Sequence, residues 1–545
     1  MRALLMYDDR DFDPDRDEQP GDADLIQDLD LATLWAAAAG GDKIIHASIR
    51  TATLAGLTDP VQIVYRGQTL ADCLAQPGVV RDLYELACQA IEQERQIYRA
   101  SFFSQSSSAL LNRSVTAMHL FVVILQRLHG LSEQHAARFT SPAFTRFFAT
   151  LDAELDESYF AEITEHLRNL RFRDGLLASA HLGRHSQGVD YVLRVPHRDN
   201  QSHLLPRHPP VKRPYFSRTM PREDDGAHQD LAGLRDRILT LAADALAQAA
   251  DHILRFFTAL RAELAFYLGC LNLYEHLTGR DLTVCQPEPH PAGSATLTAT
   301  GLYDPCLALR SPSPVQGNDL CADGKALIII TGANQGGKST FLRSVGLAHL
   351  MMQAGMPVAA RSFTAATVTS VFSHYAREED ATMTAGKFDE ELNRMSRIAG
   401  RIRPHGLLLC NESFAATNER EASEIAADIL RALNHVGITV VFVTHLYELA
   451  HRFEQERAQT TLFLRADRDE TGHRTYRLLE AAPQPTSYGQ DLYEHTFASR
   501  NTIAAAAAHA GSDTYHLAAA TSPITAQPSA APPSGPPGDP NRGCP

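Results

Sequence analysis

A short apolar strand that ends in Gly332-Ala333-Asn334-Gln335-Gly336-Gly337-Lys338-Ser339 and runs into a helix constrains this chain more than any other feature. The strand is Ala326 to Thr331 (ALIIIT), and Leu342, Val345, Leu347 and Leu350 punctuate a helical pattern from Ser339 to Gln353. The octapeptide fits G-x-x-x-x-G-K-S. In that motif backbone N–H groups at a helix N-terminus cradle phosphate, the lysine reaches the β and γ oxygens, and the hydroxyl meets Mg²⁺. Glycines let the backbone approach the phosphates without Cβ clashes. Strand, loop and helix in this order imply a nucleoside triphosphate site.

A second half-site follows about eighty residues later. Gly406 to Cys410 is a buried-strand pattern ending in Asn411-Glu412, and Ile438 to Val443 is another, ending in Thr444-His445. Glu419 to His435 between them is helical in pattern. Alternating strand and helix predict a parallel, doubly wound sheet with ligands at the carboxyl ends of its strands. Asn411, Glu412, Thr444 and His445 all fall at such ends.

A chain of 545 residues with 44% apolar and 21% charged residues is expected to form several soluble domains. No uninterrupted apolar run reaches the roughly eighteen residues of a membrane span, and the N-terminus turns acidic too soon for a signal peptide. The eight cysteines are scattered without a C-x-x-C pair, which suits a reduced cytoplasm. The net charge of −14 argues against a wholly basic nucleic-acid binder. Charge is uneven, however: Asp8 to Asp30 holds eleven acids and two arginines, the pattern of a solvated, flexible leader. His166 to Arg222 holds eleven Lys/Arg against three acids, among them Arg168, Arg194, Arg198, Lys212 and Arg213. Such a segment suits either a polyanion or the acidic surfaces of the same chain.

Four regions are expected: a flexible leader over 1–22, a helical core and lever over 23–283, an α/β nucleotide-binding domain over 284–497, and an Ala/Pro/Ser-rich disordered tail over 498–545. Val189 to Leu193 after the turn at Gly183 to Gly188 predicts a basic β-hairpin insertion near 176–222. Asp230 to about Leu277 contains no proline and predicts either one very long helix or a broken, packed pair.

At these residues the chain resembles the MutS family of DNA mismatch repair ATPases. Ile330 to Arg343 is similar to that family's phosphate loop, Asn411-Glu412 with Ala416-Thr417-Asn418 to its Walker B strand, and Thr444 to Leu449 to its switch segment. Ser487-Tyr488-Gly489 resembles a late family tripeptide. The resemblance implies a helical core and lever followed by an ABC-type P-loop ATPase domain that dimerises. It implies ATP and Mg²⁺ held by Gly332, Asn334, Gly336, Gly337, Lys338, Ser339 and Thr340, with Ser339 and Asn411 toward the metal. Glu412 would activate water and His445 would sense the γ-phosphate.

The chain departs from the family in four places. The Walker B aspartate is Asn411, which removes a negative charge near the metal. Val315 stands where the family has an aromatic that stacks on adenine. The signature Ser-Thr before Phe is Gly386-Lys387-Phe388, with Glu391 keeping the later acid. The mismatch wedge Phe-x-Glu has only a mid-chain counterpart, Phe160-Ala161-Glu162, in a helical pattern and so a chance match. The leading expectation is a MutS-like DNA-binding ATPase in mismatch repair or recombination control, holding DNA through Arg168, Arg194, Arg198, Lys212 and Arg213. The alternatives are an ABC-type ATPase acting on a protein or ribonucleoprotein, and a nucleotide switch that hydrolyses weakly.

Overall fold

Eight helices open the chain: α1 (Asp22–Asp28), α2 (Leu31–Ala39), α3 (Lys43–Ala55), α4 (Pro60–Ala75), α5 (Pro77–Ala100), α6 (Ser107–His135), α7 (Pro142–Glu154) and α8 (Glu157–Asn169). Their starts are set locally. The Asp42 side chain accepts from Ile44 N and Ile45 N, and Asp59, Ser141 and Asp156 cap α4, α7 and α8 in the same way. Pro60 and Pro142 occupy first-turn positions where a missing N–H costs nothing. The computed structural model describes residues 1–15, 19–100, 106–172, 175–184, 188–194, 219, 221, 224–377, 386–456, 459–469 and 473–484.

A hairpin follows, β1 (Leu177–Leu182) antiparallel to β2 (Gly188–Arg194). Then comes α9 (Asp225–Thr278), one unbroken helix of 54 residues and so about 80 Å long. Leu239, Ala243, Leu246, Ala250, Ile253, Phe257, Leu260 and Leu264 are buried along it at helical spacing, under α2, α3, α5 and α6. The sequence left a broken pair open; a continuous apolar stripe covered by four helices favours the single rod. Gly269 lies in that seam, where an added Cβ would stand 2.4 Å from Ile49 Cγ1.

The remaining elements are β3 (Glu288–His290), β4 (Leu297–Leu302), α10 (Pro305–Arg310), β5 (Asn318–Cys321), β6 (Leu327–Thr331), α11 (Lys338–Ala354), β7 (Ser362–Ala366), β8 (Val371–Tyr375), α12 (Lys387–Ala399), β9 (Leu407–Asn411), α13 (Glu419–His435), β10 (Thr439–Val443), α14 (Tyr447–Glu456), β11 (Thr461–Arg468) and β12 (Arg474–Glu480). A six-stranded sheet runs β12-β11-β6-β10-β9-β8; all neighbours are parallel except the edge pair β11 and β12. A four-stranded sheet runs β3-β7-β4-β5. The strands Leu327–Thr331, Leu407–Asn411 and Thr439–Val443 are apolar on both faces because α11 covers one side and α13 the other.

One expectation is corrected. The acidic leader does not float over residues 1–15: Ala3, Leu5, Met6 and Phe12 are buried, and the fully buried Glu263 of α9 accepts from Leu5 N at 2.5 Å, Phe12 N at 2.7 Å and Met6 N at 3.2 Å. Its buried apolar residues precede or interrupt the run of acids, so they reach the core while Asp9 and Asp15 stay in water. Residues on both sides of position 283 belong to the same compact unit. Met1–Ser487 is one compact unit whose main core runs from Leu5 through Phe257 to Val443. Ser107–Arg138 is long and apolar enough to cross a membrane by length and composition; half of its apolar window is buried in the protein, and α5 and α9 pack against it. The expected tail, Ser487-Tyr488-Gly489, Arg198, Lys212 and Arg213 lie outside the described residues.

Candidate nucleotide site

Strand β6 ends at Thr331 and the chain turns through Gly332 at φ +111° and Gly337 at φ +90° before α11 begins at Lys338. Both dihedrals lie in the left-handed region, which glycine adopts without a Cβ penalty. Space is short as well: a Cβ on Gly332 would stand 2.9 Å from Ala466 N of β11. The loop borders a cavity of about 720 Å³, a size suited to a small-molecule ligand, lined by Asn334 to Phe341, Glu412, His445, Val315 and Tyr476 among others. Gly336, Gly337, Lys338, Ser339 and Thr340 are therefore all on its wall, while Gly332 shapes the turn behind it.

Lys338 is buried, and its Nζ donates to Gly332 O at 2.8 Å and Ala333 O at 2.9 Å. Burial pulls its ammonium down to about 8, and Glu412 opposes that shift. Ser339 Oγ donates to Asn411 Oδ1 at 2.8 Å. Strand β9 delivers Asn411 and β10 delivers His445 because the two strands are parallel neighbours, with Val443 opposite Asn411. His445 Nε2 donates to Glu412 Oε1 at 2.7 Å. That hydrogen bond, aided by the charges of His445 and Lys338, holds the Glu412 carboxyl below its ordinary value against the effect of burial. Glu412 is thus an ionised acceptor that faces a cation-bearing loop.

Thr444 is buried and its hydroxyl accepts from Leu446 N, so it caps the switch segment instead of entering the cavity. Among the described residues no group of three or more His, Cys, Asp or Glu could hold a metal ion. Ser339 Oγ lies at the cavity wall with Asn411 Oδ1 bonded behind it, a partial oxygen donor set that suits a cation brought in on phosphates.

Sequence reasoning missed Tyr476 and Arg474. Tyr476 comes from the edge strand β12, far along the chain, and its exposed ring lines the same cavity as Val315. Arg474 Nη1 donates to Gln335 Oε1 at 2.6 Å and braces the phosphate loop. Neither carries a local motif; the sheet order alone brings β12 beside the loop. Phe160 lies on α8 with its ring against His129 and Tyr159. Arg168 and Arg194 are exposed, and Arg194 Nε donates to Ser179 Oγ within the hairpin.

Comparison with known proteins matches both halves of the chain. The family model for the MutS2 N-terminal domain matches residues 58–280, and that for MutS domain V matches residues 328–512. The DNA mismatch repair protein MutS of Granulibacter bethesdensis is 30% identical over 239 residues, 41% of this chain and 25% of that protein. Endonuclease MutS2 of Halothermothrix orenii is 31% identical over 158 residues, 29% of this chain and 20% of that protein. Endonuclease MutS2 of Listeria innocua is 28% identical over 243 residues, 43% of this chain and 31% of that protein. The aligned chain thus spans less than a third of the length of these curated relatives.

Proposed function

Because the chain belongs to the MutS family, we propose that it is a DNA-binding ATPase, dimeric through its α/β part, whose ATP cycle drives DNA binding in mismatch repair or recombination control. One observation carries the ATPase reading: Lys338 and Ser339 at the start of α11, Glu412 after β9 and His445 after β10 converge on one cavity, with Asn411 bonded to Ser339 behind them. Lys338 and the loop N–H groups would hold the β and γ phosphates, and Gly336 and Gly337 would let them approach. Bound Mg²⁺ would supply positive charge to offset that of the phosphates. Ser339 and Asn411 would face it, with the neutral amide as the weaker partner.

Glu412 would orient the attacking water and take its proton, and His445 would keep the carboxylate aimed and ionised. Tyr476, opposite Val315, would offer the aromatic face that the loop before β5 lacks. For DNA, the exposed arginines Arg168 and Arg194 and the neighbouring Arg198, Lys212 and Arg213 would meet phosphates. A reduced, cytoplasmic setting agrees with seven free cysteines among the described residues.

The deciding measurement is ATP turnover by the pure protein alone, with duplex, with mismatched duplex and with a four-way junction. Stimulation by DNA is expected. Lys338→Ala is expected to lose the ATP-induced rise in Tm, and Glu412→Gln to keep it while turnover falls at least a hundredfold, since only the water-activating group is gone. Turnover that no DNA alters would favour a protein or ribonucleoprotein partner. An unaltered ATP-induced shift in Lys338→Ala would remove the nucleotide site.

A further inference from the structure

Glu412 sits in an unusual backbone. Its φ is +54° and that of Phe414 is +67°, two side-chain-bearing residues in the left-handed region within three positions. Such a turn costs free energy at each residue and persists only where neighbours over-determine it. On one side Glu412 N donates to Val443 O at 2.9 Å, which anchors the start of the turn to β10. One side chain from the neighbouring strand packs on the rest of the turn.

That side chain is His374 of β8, paired with Cys410 across the parallel ladder. Its ring is fully buried. Nδ1 lies 2.7 Å from Ser413 Oγ, Nε2 lies 3.0 Å from Glu391 O of α12, and the ring stacks on Phe414 at 5.6 Å and 25°. Burial, reinforced by Arg394, holds the ring down to about 4, so it is neutral near neutral pH. A neutral ring donates Nε2–H to the Glu391 carbonyl, and the Ser413 hydroxyl, 2.7 Å from Nδ1, also donates to His374 O at 2.8 Å, so ring and backbone of His374 both hold Ser413. One imidazole therefore grips the residue after Glu412 with one nitrogen, the helix α12 with the other, and Phe414 with its face.

We propose that His374 is a positioning residue for Glu412: it locks the turn from Glu412 to Phe414 onto α12 and thereby keeps the carboxylate at the nucleotide cavity. The assignment rests on the ATPase reading above, and two measurements separate its failure from the failure of that reading. A shift of α12 would pull on Glu391 O, hence on His374 and Ser413, so the same contact makes turnover sensitive to whatever packs on α12.

The variants are chosen by atom. His374→Gln places its amide near the former Nε2 and keeps the reach to Glu391 while losing Ser413. His374→Asn places its amide near the former Nδ1 and keeps Ser413. Ser413→Ala breaks the same link from the other side. In steady-state ATP hydrolysis His374→Gln and Ser413→Ala are expected to lower kcat about tenfold with Kd for ATP within about twofold of wild type, because a displaced water activator costs rate more than affinity. His374→Asn should retain more of the rate than His374→Gln. The double variant His374→Gln/Ser413→Ala should lose less than the sum of the two single losses, since both singles remove the contact between ring and hydroxyl.

Amide hydrogen exchange of the nucleotide-free proteins supplies the second readout. Peptides covering residues 408–416 and α12 should exchange several-fold faster in His374→Gln and Ser413→Ala than in wild type. Unchanged kcat in both single variants, additive losses in the double variant, or losses of kcat and ATP affinity in step with Tm would each overturn the proposal. A wild-type protein that does not hydrolyse ATP overturns the ATPase reading alone. Exchange at 408–416 then decides, and wild-type exchange there in both variants overturns the role of His374.

Discussion

Lys338 spends its ammonium protons on two carbonyl oxygens of its own loop, Gly332 O and Ala333 O. Those neutral acceptors do not offset burial, which is why its proton is held only to about 8. Phosphates would favour the charged form, so the lysine of the ATP complex titrates higher than that of the free protein. ATP binding therefore takes up a proton once pH passes about 8, and affinity is expected to fall as pH rises further, by up to tenfold per pH unit. Isothermal titration at pH 7, 8 and 9 in buffers of different ionisation enthalpy checks both the affinity and the proton uptake. A flat profile would separate Lys338 from the phosphates. At this scale the motif residues were legible, because phosphate chemistry dictates glycine, lysine and hydroxyl at fixed spacing. Tyr476 and His374 were not, since each serves the site only through strand pairing.

The element whose role changed most between sequence and structure is the N-terminal segment. Glu263 on α9 accepts three of its N–H groups, Tyr267 Oη donates to Leu5 O, and Arg66 of α4 donates to Met6 O and to Ala354 O at the end of α11. The segment thus ties the long helix to the helix that begins at the phosphate loop. Burial pushes the Glu263 carboxyl up to about 7, while the N–H groups of Phe12, Leu5 and Met6 pull the other way. The folded state keeps a proton that the unfolded chain releases at the ordinary carboxyl value. The associated stability is complete below that ordinary value and is lost as pH rises through about 7. Against Glu263→Gln, wild type is therefore expected to lose on the order of 2–3 kcal/mol of unfolding free energy between about pH 5 and pH 8. Urea unfolding at each pH, with m held constant, measures it. A constant difference would mean that the carboxylate stays ionised in the fold.

On the scale of the whole molecule, the two halves read from the sequence as separate regions share one core, so the long helix and the cavity-bearing sheet are packed in one body. The acid-rich chain concentrates its positive excess in the segment from Arg168 to Arg222, eight charges from eleven bases less three acids. Each phosphate contact adds close to one unit to the slope of log affinity against log salt. Replacing Arg194, Arg198, Lys212 and Arg213 together by alanine is expected to flatten that slope by several units and to leave ATP binding intact. Fluorescence anisotropy over a salt series reads the slope. A wild-type slope in the quadruple variant would move the DNA contact elsewhere, and a preference above about tenfold for mismatched duplex would point to a mispair reader without the Phe160 tripeptide.

The sequence by itself determined the local chemistry: the strand, loop and helix around Lys338, the strands ending at Asn411 and Thr444, and the helical character of residues before Leu277. These follow from short-range periodicity and from the steric demands of a phosphate-binding turn. It also carried the family, since the motif residues lie close together in the chain. Only the tertiary structure decided which distant residues complete the site and which apparent loops are core. Acidic composition predicted solvent for residues 1–15, yet three buried N–H groups needed an acceptor and Glu263 supplied it from about 250 positions away. Tyr476, Arg474 and His374 reach the site through sheet order and register, and neither is encoded in spacing along the chain, because strand partners are chosen by burial of the whole sheet and not by any one segment.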